Sequence, residues 1–293
     1  MSKRYKNNAY NITFWVIGLV LLIYAVSLIV PLIWAILTSL KNRSEFIING
    51  PMALPTQWEF ENYLNAIAVF RVQVKDGLVN RFVYLDEMFL NSITYSVGMG
   101  ALATFAPCLV GYLCSKFPCK FSRFIYLLVV VLMIIPVVGN MPSMLVVLKT
   151  MGIYDTYFGM ACMKFTFANT YFIIFYSTFK GLSVGYAEAA RIDGASETTI
   201  MFKIMFPLVK TTIAAIFLLR MIAMWNDYMT SMVYYPSHPT AALGLMLYYQ
   251  DAKVSSVPAK LAGSIIVITP LFIVFMIFRK SLMGNLTMGG LKG

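Results

Sequence analysis

Of the 293 residues, 60% are hydrophobic and only 12% are charged, with 22 Phe and 20 Met. A soluble domain carries roughly 25% charged residues, so a water-surrounded globule is excluded. The formal charge of +11 has two candidate sources: an acidic partner or membrane topology.

Residues 1–12 read as a short basic, Asn-rich tail. The first uncharged run, Asn7 to Leu40, exceeds the ~7–15 apolar residues of a cleaved signal peptide and is expected to be a retained first span. Residues 41–87 follow as a long mixed-charge loop with Pro51 and Pro55, expected to be partly helical around Trp58–Phe70. Further uncharged runs are Met88–Ser115, Phe124–Leu148 and Leu261–Phe278. Two more, Thr156–Phe179 and Thr211–Tyr235, are interrupted by Lys164 and by Arg220 and Asp227 respectively. Each matches the ~17–25 residues that cross a hydrocarbon core. The expected fold class is therefore all-α integral membrane, with six transmembrane helices over residues 13–283 and a tail at 284–293.

Charge placement sets the expected orientation. With the N-terminus inside, the inner segments hold 13 bases against Glu188, Asp193 and Glu197, while the outer segments hold 8 bases and 8 acids. That bias obeys the positive-inside rule, with both termini cytoplasmic in a cell membrane. Topology thus accounts for the basic charge, and no basic patch with stacking aromatics calls for nucleic acid.

Catalytic and metal motifs are absent from the sequence. There is no phosphate-binding G-x-x-x-x-G-K-[ST], no G-x-S-x-G and no H-E-x-x-H. The four cysteines have no metal-site spacing, and His238 is the only histidine. Neither a cofactor nor a metal is expected, and any nucleotide hydrolysis is left to another subunit.

The polar segment 180–210 lies between the fourth and fifth runs. Ala187 through Arg191 are good helix formers, and Asp193-Gly194 stops that helix because glycine accepts the left-handed conformation. Ser196 is a plausible N-cap, with Glu197 in the first turn of a second helix. Ile200 with Ile204, and Met201 with Met205, fall on one side, and Pro207 restricts Phe206 before the next span. The small residues Ala187 and Ala190 are expected to permit close approach by another protein. A plain interfacial hairpin joining two spans is the alternative.

Polar residues inside spans mark a candidate pathway, since charge in lipid is costly. At 1.5 Å per residue, Lys164 lies ~13 Å beyond Asp155 and Arg220 about 15 Å beyond Lys210. Asp227 returns to the face of Arg220. Asn140 lies between Pro136 and Pro142, where freed carbonyls can line a cavity. Trp225 is an aromatic within a span, placed to stack on a ring of the solute or to fill core. Two cations against one acid favour an acidic solute if both face the pathway; a neutral one requires Asn140, Asn226 and Trp225.

These motifs together resemble a known family. Glu188-Ala189-Ala190, Asp193-Gly194-Ala195-Ser196, Ile204 and Pro207 resemble the EAA loop of binding-protein-dependent ABC importer permeases. Asn91-Ser92, Gly111-Tyr112 and Trp225-Asn226-Asp227 resemble its carbohydrate branch, and residues 284–293 resemble the tail of maltose-type permeases. The chain departs from the pattern at Ser183-Val184-Gly185 and at Lys210, where the family often has proline. The resemblance implies a type I importer-like permease that pairs with a second, usually different, permease subunit. It further implies a dimer of cytoplasmic ATPases, an extracellular solute-binding protein and a sugar substrate. Glu188, Ala189, Ala190, Asp193, Gly194 and Ser196 would form the coupling helix and its bend. A secondary transporter or channel for a polar solute is the alternative, and it would leave the EAA loop without a purpose.

Overall fold

The computed structural model describes the backbone of residues 2–76, 79–135 and 139–286, and side chains within 13–75, 80–135 and 139–278. The chain forms two compact units: residues 1–70 with 248–268, and residues 71–247 with 269–293.

The first unit begins with α1 (Ser2–Ser39), so the helix already includes most of the expected tail. Its stretch Thr13–Ser39 is apolar and long enough to cross a membrane, and its side chains through Ile33 are uncovered by the chain itself. Bare Val, Leu and Ile over such a length suit a lipid or protein surround, not water. Two short helices follow, α2 (Arg43–Ile48), capped by the Asn42 side chain, and α3 (Glu61–Val69). Asn62 donates to the carbonyls of Ser39 and Lys41 at 2.9 and 2.8 Å, which ties α3 to the end of α1. Phe70 stacks on Tyr248 at 4.5 Å between centroids.

The second unit opens with a hairpin, β1 (Arg71–Asp76) against β2 (Val79–Tyr84), antiparallel with Val72 opposite Val83. Val72, Val74 and Val83 are buried while Arg71, Gln73 and Lys75 are exposed, the period-2 alternation of a half-buried strand. The mixed-charge stretch expected to be loop thus contains a hairpin, because its valines find a buried face.

Next, α4 (Leu85–Ile93), a π-turn at Thr94–Met99 and α5 (Gly100–Lys116) join into one spanning helix. The third apolar run is divided between α6 (Lys120–Ile134) and α7 (Met141–Thr150). The fourth is divided between α8 (Tyr157–Lys164) and α9 (Thr170–Lys180). The polar segment after the fourth run comprises α10 (Gly185–Ile192), α11 (Glu197–Thr199), a π-turn at Ile200–Met205 and α12 (Phe206–Leu208). The fifth run is α13 (Lys210–Trp225) and α14 (Tyr228–Tyr234), followed by α15 (Ala241–Gln250) and α16 (Val257–Leu286).

All six apolar runs are thus helical, but among the described residues only three make a single helix long enough to span: Thr13–Ser39, Leu85–Lys116 and Val257–Phe278. Breaks in the other runs expose backbone groups, which a membrane tolerates only where protein or a wet cavity covers them.

The second unit is held by close helix contact. A Cβ placed on Gly111 would sit 2.9 Å from Phe175 Cβ and 3.0 Å from the Tyr176 nitrogen, so α5 and α9 touch at a point that admits only glycine. Tyr112, beside it, is buried with its ring edge-on to Phe179 at 5.2 Å.

Candidate functional site

Two groups of residues stand out. The first is a polar cluster where two helix breaks meet. Asp227 sits between α13 and α14 and caps α14, its Oδ1 accepting the Thr230 N–H at 2.9 Å. Its Oδ2 accepts from Tyr95 OH at 2.9 Å and from the Thr230 hydroxyl, and pairs with Lys164 Nζ at 3.3 Å. Lys164 is the last residue of α8 and also reaches Thr230 Oγ1 at 3.4 Å and the Tyr95 ring at 5.6 Å. A capping carboxylate at a helix start and an ammonium at a helix end each complement the local dipole. Four donors therefore converge on one carboxylate, which is thereby saturated.

Arg220 lies on α13 with its guanidinium 4.5 Å from the centre of the Tyr171 ring. Its Nε is buried and, among the described residues, without a hydrogen-bond partner. A cavity of about 180 Å3 joins these groups, lined by Lys164, Thr166, Arg220 and Asp227 with Ala103 and Met224. Thr166 belongs to the irregular stretch between α8 and α9, which Asn169 ends by capping Tyr171 N–H at 3.0 Å. Lys164, Arg220 and Asp227, marked by their sequence as intramembrane charges, thus come together.

The remaining pathway candidates do not line this cavity. Trp225 is only 5% exposed and lies 6.3 Å from Phe89, ring to ring, so it fills core. Asn226 turns its amide back to the Ile222 carbonyl at 2.9 Å, ending α13. Asn140 is exposed at the start of α7; Pro136, its expected flanking partner, lies outside the described residues. Tyr95, Thr230 and Tyr171 were missed. Their signal was weak: a hydroxyl or ring within an apolar run says nothing until the facing charge is known. Among the described residues no group of three or more His, Cys, Asp or Glu could hold a metal ion.

The second group is the turn from α10 to α11. Gly194 takes φ +80°, and a Cβ there would meet nothing. Its N–H donates to Arg191 O at 3.0 Å and that of Ala195 to Ala190 O at 2.9 Å. These two bonds form a Schellman ending, which requires a left-handed residue at Gly194. Ser196 then caps α11 through Thr199 N–H at 3.3 Å. Arg191 clamps Glu197 across the bend with Nε to Oε1 at 2.6 Å and Nη2 to Oε2 at 3.1 Å, and this holds the Glu197 carboxyl below its ordinary range.

The faces of α10 correct one expectation. Ala187 and Ala190 are each 7% exposed and pack with Tyr112, Phe179, Ile200 and Met205. The small-residue side thus meets this chain's own core. The outward side carries Glu188, Ala189, Arg191 and Ile192, the last 87% exposed. The segment also leaves Pro207 differently from the sequence reading. Pro207 lies in the last turn of the continuous helical stretch Glu197–Leu208, and the chain turns just after it at Val209, with 76° between that stretch and α13.

Residues 107–287 match the family described as binding-protein-dependent transport system inner membrane component. The diacetylchitobiose uptake system permease protein NgcG of Streptomyces coelicolor is 26% identical over 273 residues, covering 92% of this chain and 86% of that protein. The arabinooligosaccharides transport system permease protein AraQ of Halalkalibacterium halodurans is 27% identical, covering 95% and 96%. The lactose transport system permease protein LacG of Rhizobium radiobacter is 26% identical, covering 86% and 87%. In fold, the chain is similar to a subunit of a bacterial ABC transporter involved in import of the acidic polysaccharide alginate, with a TM-score of 0.68 at 24% identity over 91% of this chain and 95% of that one. With the family match spanning more than half of the sequence, the chain belongs to the inner membrane components of binding-protein-dependent transport systems.

Proposed function

We propose that this chain is the permease subunit of a carbohydrate ABC importer, moving a sugar or oligosaccharide delivered by an extracellular binding protein. Its relatives named for diacetylchitobiose, arabinooligosaccharides and lactose support the substrate class. ATP is hydrolysed by separate ATPase subunits, and this chain contributes no catalytic group. A second permease subunit completes the pathway. The proposed layout is a cytoplasmic tail at residues 1–12, a permease domain at 13–283 and a cytoplasmic tail at 284–293, with Thr287–Gly293 outside the described residues.

The observation that carries the mechanism is the two-faced α10–α11 turn. Glu188, Ala189 and Ile192 face outward, while Ala187 and Ala190 are embedded in a core shared with Tyr112 on α5 and Phe179 on α9. In this reading an ATPase cleft grips the outward face, with Glu188 as its charged anchor. The interior at Ala187 and Ala190 is close-packed, so displacement of the turn carries α5 and α9 with it instead of compressing. Closure of the ATPase dimer on ATP then biases the spans toward one of two rigid-body arrangements. Asp193, Gly194 and Ser196 keep the bend that sets the grip. Of the pathway candidates Asn140, Lys164, Arg220, Trp225, Asn226 and Asp227, the three at the cavity, Lys164, Arg220 and Asp227, are the proposed pathway residues.

The test is uptake by the whole importer in proteoliposomes. Sugar accumulation that requires both enclosed ATP and the loaded binding protein is expected. Uptake driven by an ion gradient without ATP would instead make the chain a secondary transporter.

A further inference from the structure

The cavity at the helix breaks carries an imbalance. Two cations and one acid line it, but the acid is taken: Asp227 accepts from Tyr95, Lys164, the Thr230 hydroxyl and the Thr230 N–H. Lys164 is therefore neutralised inside the cluster, with both side chains about one-fifth exposed (21% and 23%). Among the described residues Arg220 has no such partner. Its guanidinium rests on the Tyr171 ring, its Nε is buried without an acceptor, and no carboxylate among the described residues forms an ion pair with it.

An arginine within a span that faces neither an acid nor a backbone carbonyl is costly, and such residues mark solute paths by default. The guanidinium offers a planar fork of donors that matches a carboxylate better than it matches a hydroxyl. The Tyr171 ring covers one face of the group and leaves its edge as the binding direction. The cavity of about 180 Å3 is smaller than the roughly 300–1,000 Å3 of a drug-sized site, so it has room for a group of about one sugar unit and not for a whole glycan.

We infer that Arg220 receives the carboxylate of an acidic solute, such as a uronic acid unit, as it passes this chain. The identity of the solute as a sugar rests on the carbohydrate-importer reading; the carboxylate site does not. The same chemistry has a second source, an Asp or Glu of the partner permease, and the experiment separates the two.

The full importer in nanodiscs is titrated with tetragalacturonate, with its carboxyl-reduced neutral tetramer, and with succinate. Wild type, Arg220→Lys and Arg220→Gln are compared, so that binding-protein affinity, common to all three, cancels. Expected is tetragalacturonate binding to wild type that falls about ten-fold in R220K, where the fork is lost but the charge kept, and disappears in R220Q. Neutral tetramer binding stays the same in all three. Identical tetragalacturonate isotherms in wild type and R220Q would overturn the inference. It falls equally if R220Q lowers the thermal stability of the ligand-free importer while leaving those isotherms unchanged, since the carboxylate then belongs to the partner. Binding of succinate alone, lost in R220Q, keeps the carboxylate site and removes the carbohydrate assignment. Equal, Arg220-independent binding of both tetramers does the reverse.

Discussion

Replacing Asp227 tests the polar cluster most sharply. Asp227→Asn keeps an oxygen for the Thr230 N–H at 2.9 Å and preserves the shape of the side chain, but removes the charge opposite Lys164 at 3.3 Å. Breaking a buried pair by removing one partner costs about 3–5 kcal/mol. Both side chains keep about one-fifth of their exposure, 21% and 23%, so the lower end, roughly 3 kcal/mol, is expected after solvent screening. Asp227→Ala also removes the α14 cap, worth ~1 kcal/mol, and the Tyr95 hydrogen bond, worth ~1 kcal/mol. At roughly 2–4 °C per kcal/mol for a chain of this order, the Asn variant should melt about 6–12 °C below wild type in nanodiscs, and the Ala variant lower still. Adding Lys164→Met to Asp227→Asn should recover much of the loss, because the orphaned ammonium is gone. An Asn variant that melts with wild type would refute the reasoning, as would a double variant less stable than D227N.

Other positions give independent checks. Gly194→Ala has room for its methyl but must hold φ +80°, at about 1–2 kcal/mol, so coupling should weaken; Gly194→Pro cannot hold that angle and should abolish sugar-stimulated ATP hydrolysis in an importer that still assembles. Gly111→Ala pushes its Cβ onto Phe175 and Tyr176 at about 3 Å and should destabilise by ~1–3 kcal/mol, read as a lower melting temperature. Burial, reinforced by Arg81 and opposed by Asp155 and Glu87, holds the His238 imidazole below its ordinary value. A group depressed in the fold contributes stability that is complete above its unfolded value of about 6.5 and lost as pH falls. Wild type should therefore lose melting temperature below about pH 6.5 relative to His238→Gln, and parallel pH curves would contradict this.

The sequence made the helices legible but not their breaks. Six apolar runs announce six helical segments, because length and hydropathy are one-dimensional properties. The gap between α8 and α9, Phe165–Asn169, contains neither Gly nor Pro, so no local breaker betrays it. Its capping residue, Asn169, reads as an N-cap only once the helix start is known. The break at Asn226–Asp227 had a legible acid whose capping role depends on Thr230 three residues later. The β1–β2 hairpin is hard to read although Val72 and Val74 alternate with Arg71, Gln73 and Lys75, since a strand signal of six residues is easily lost within a long mixed-charge stretch. At the α10–α11 turn the glycine and its cap were readable from local chemistry alone. The direction of Ala187 and Ala190 was not, because small residues suit a core and an interface equally well.

In the proposed mechanism the outward face of α10 receives the force of ATP binding. Glu188→Lys tests it most directly, because Glu188 is exposed and its replacement leaves the packed face of Ala187 and Ala190 intact. The measurement is ATP hydrolysis by the purified importer in nanodiscs, with and without sugar-loaded binding protein. Strong stimulation is expected in wild type and none in an E188K importer that assembles to the same extent and melts at the same temperature. Full stimulation in E188K would contradict it.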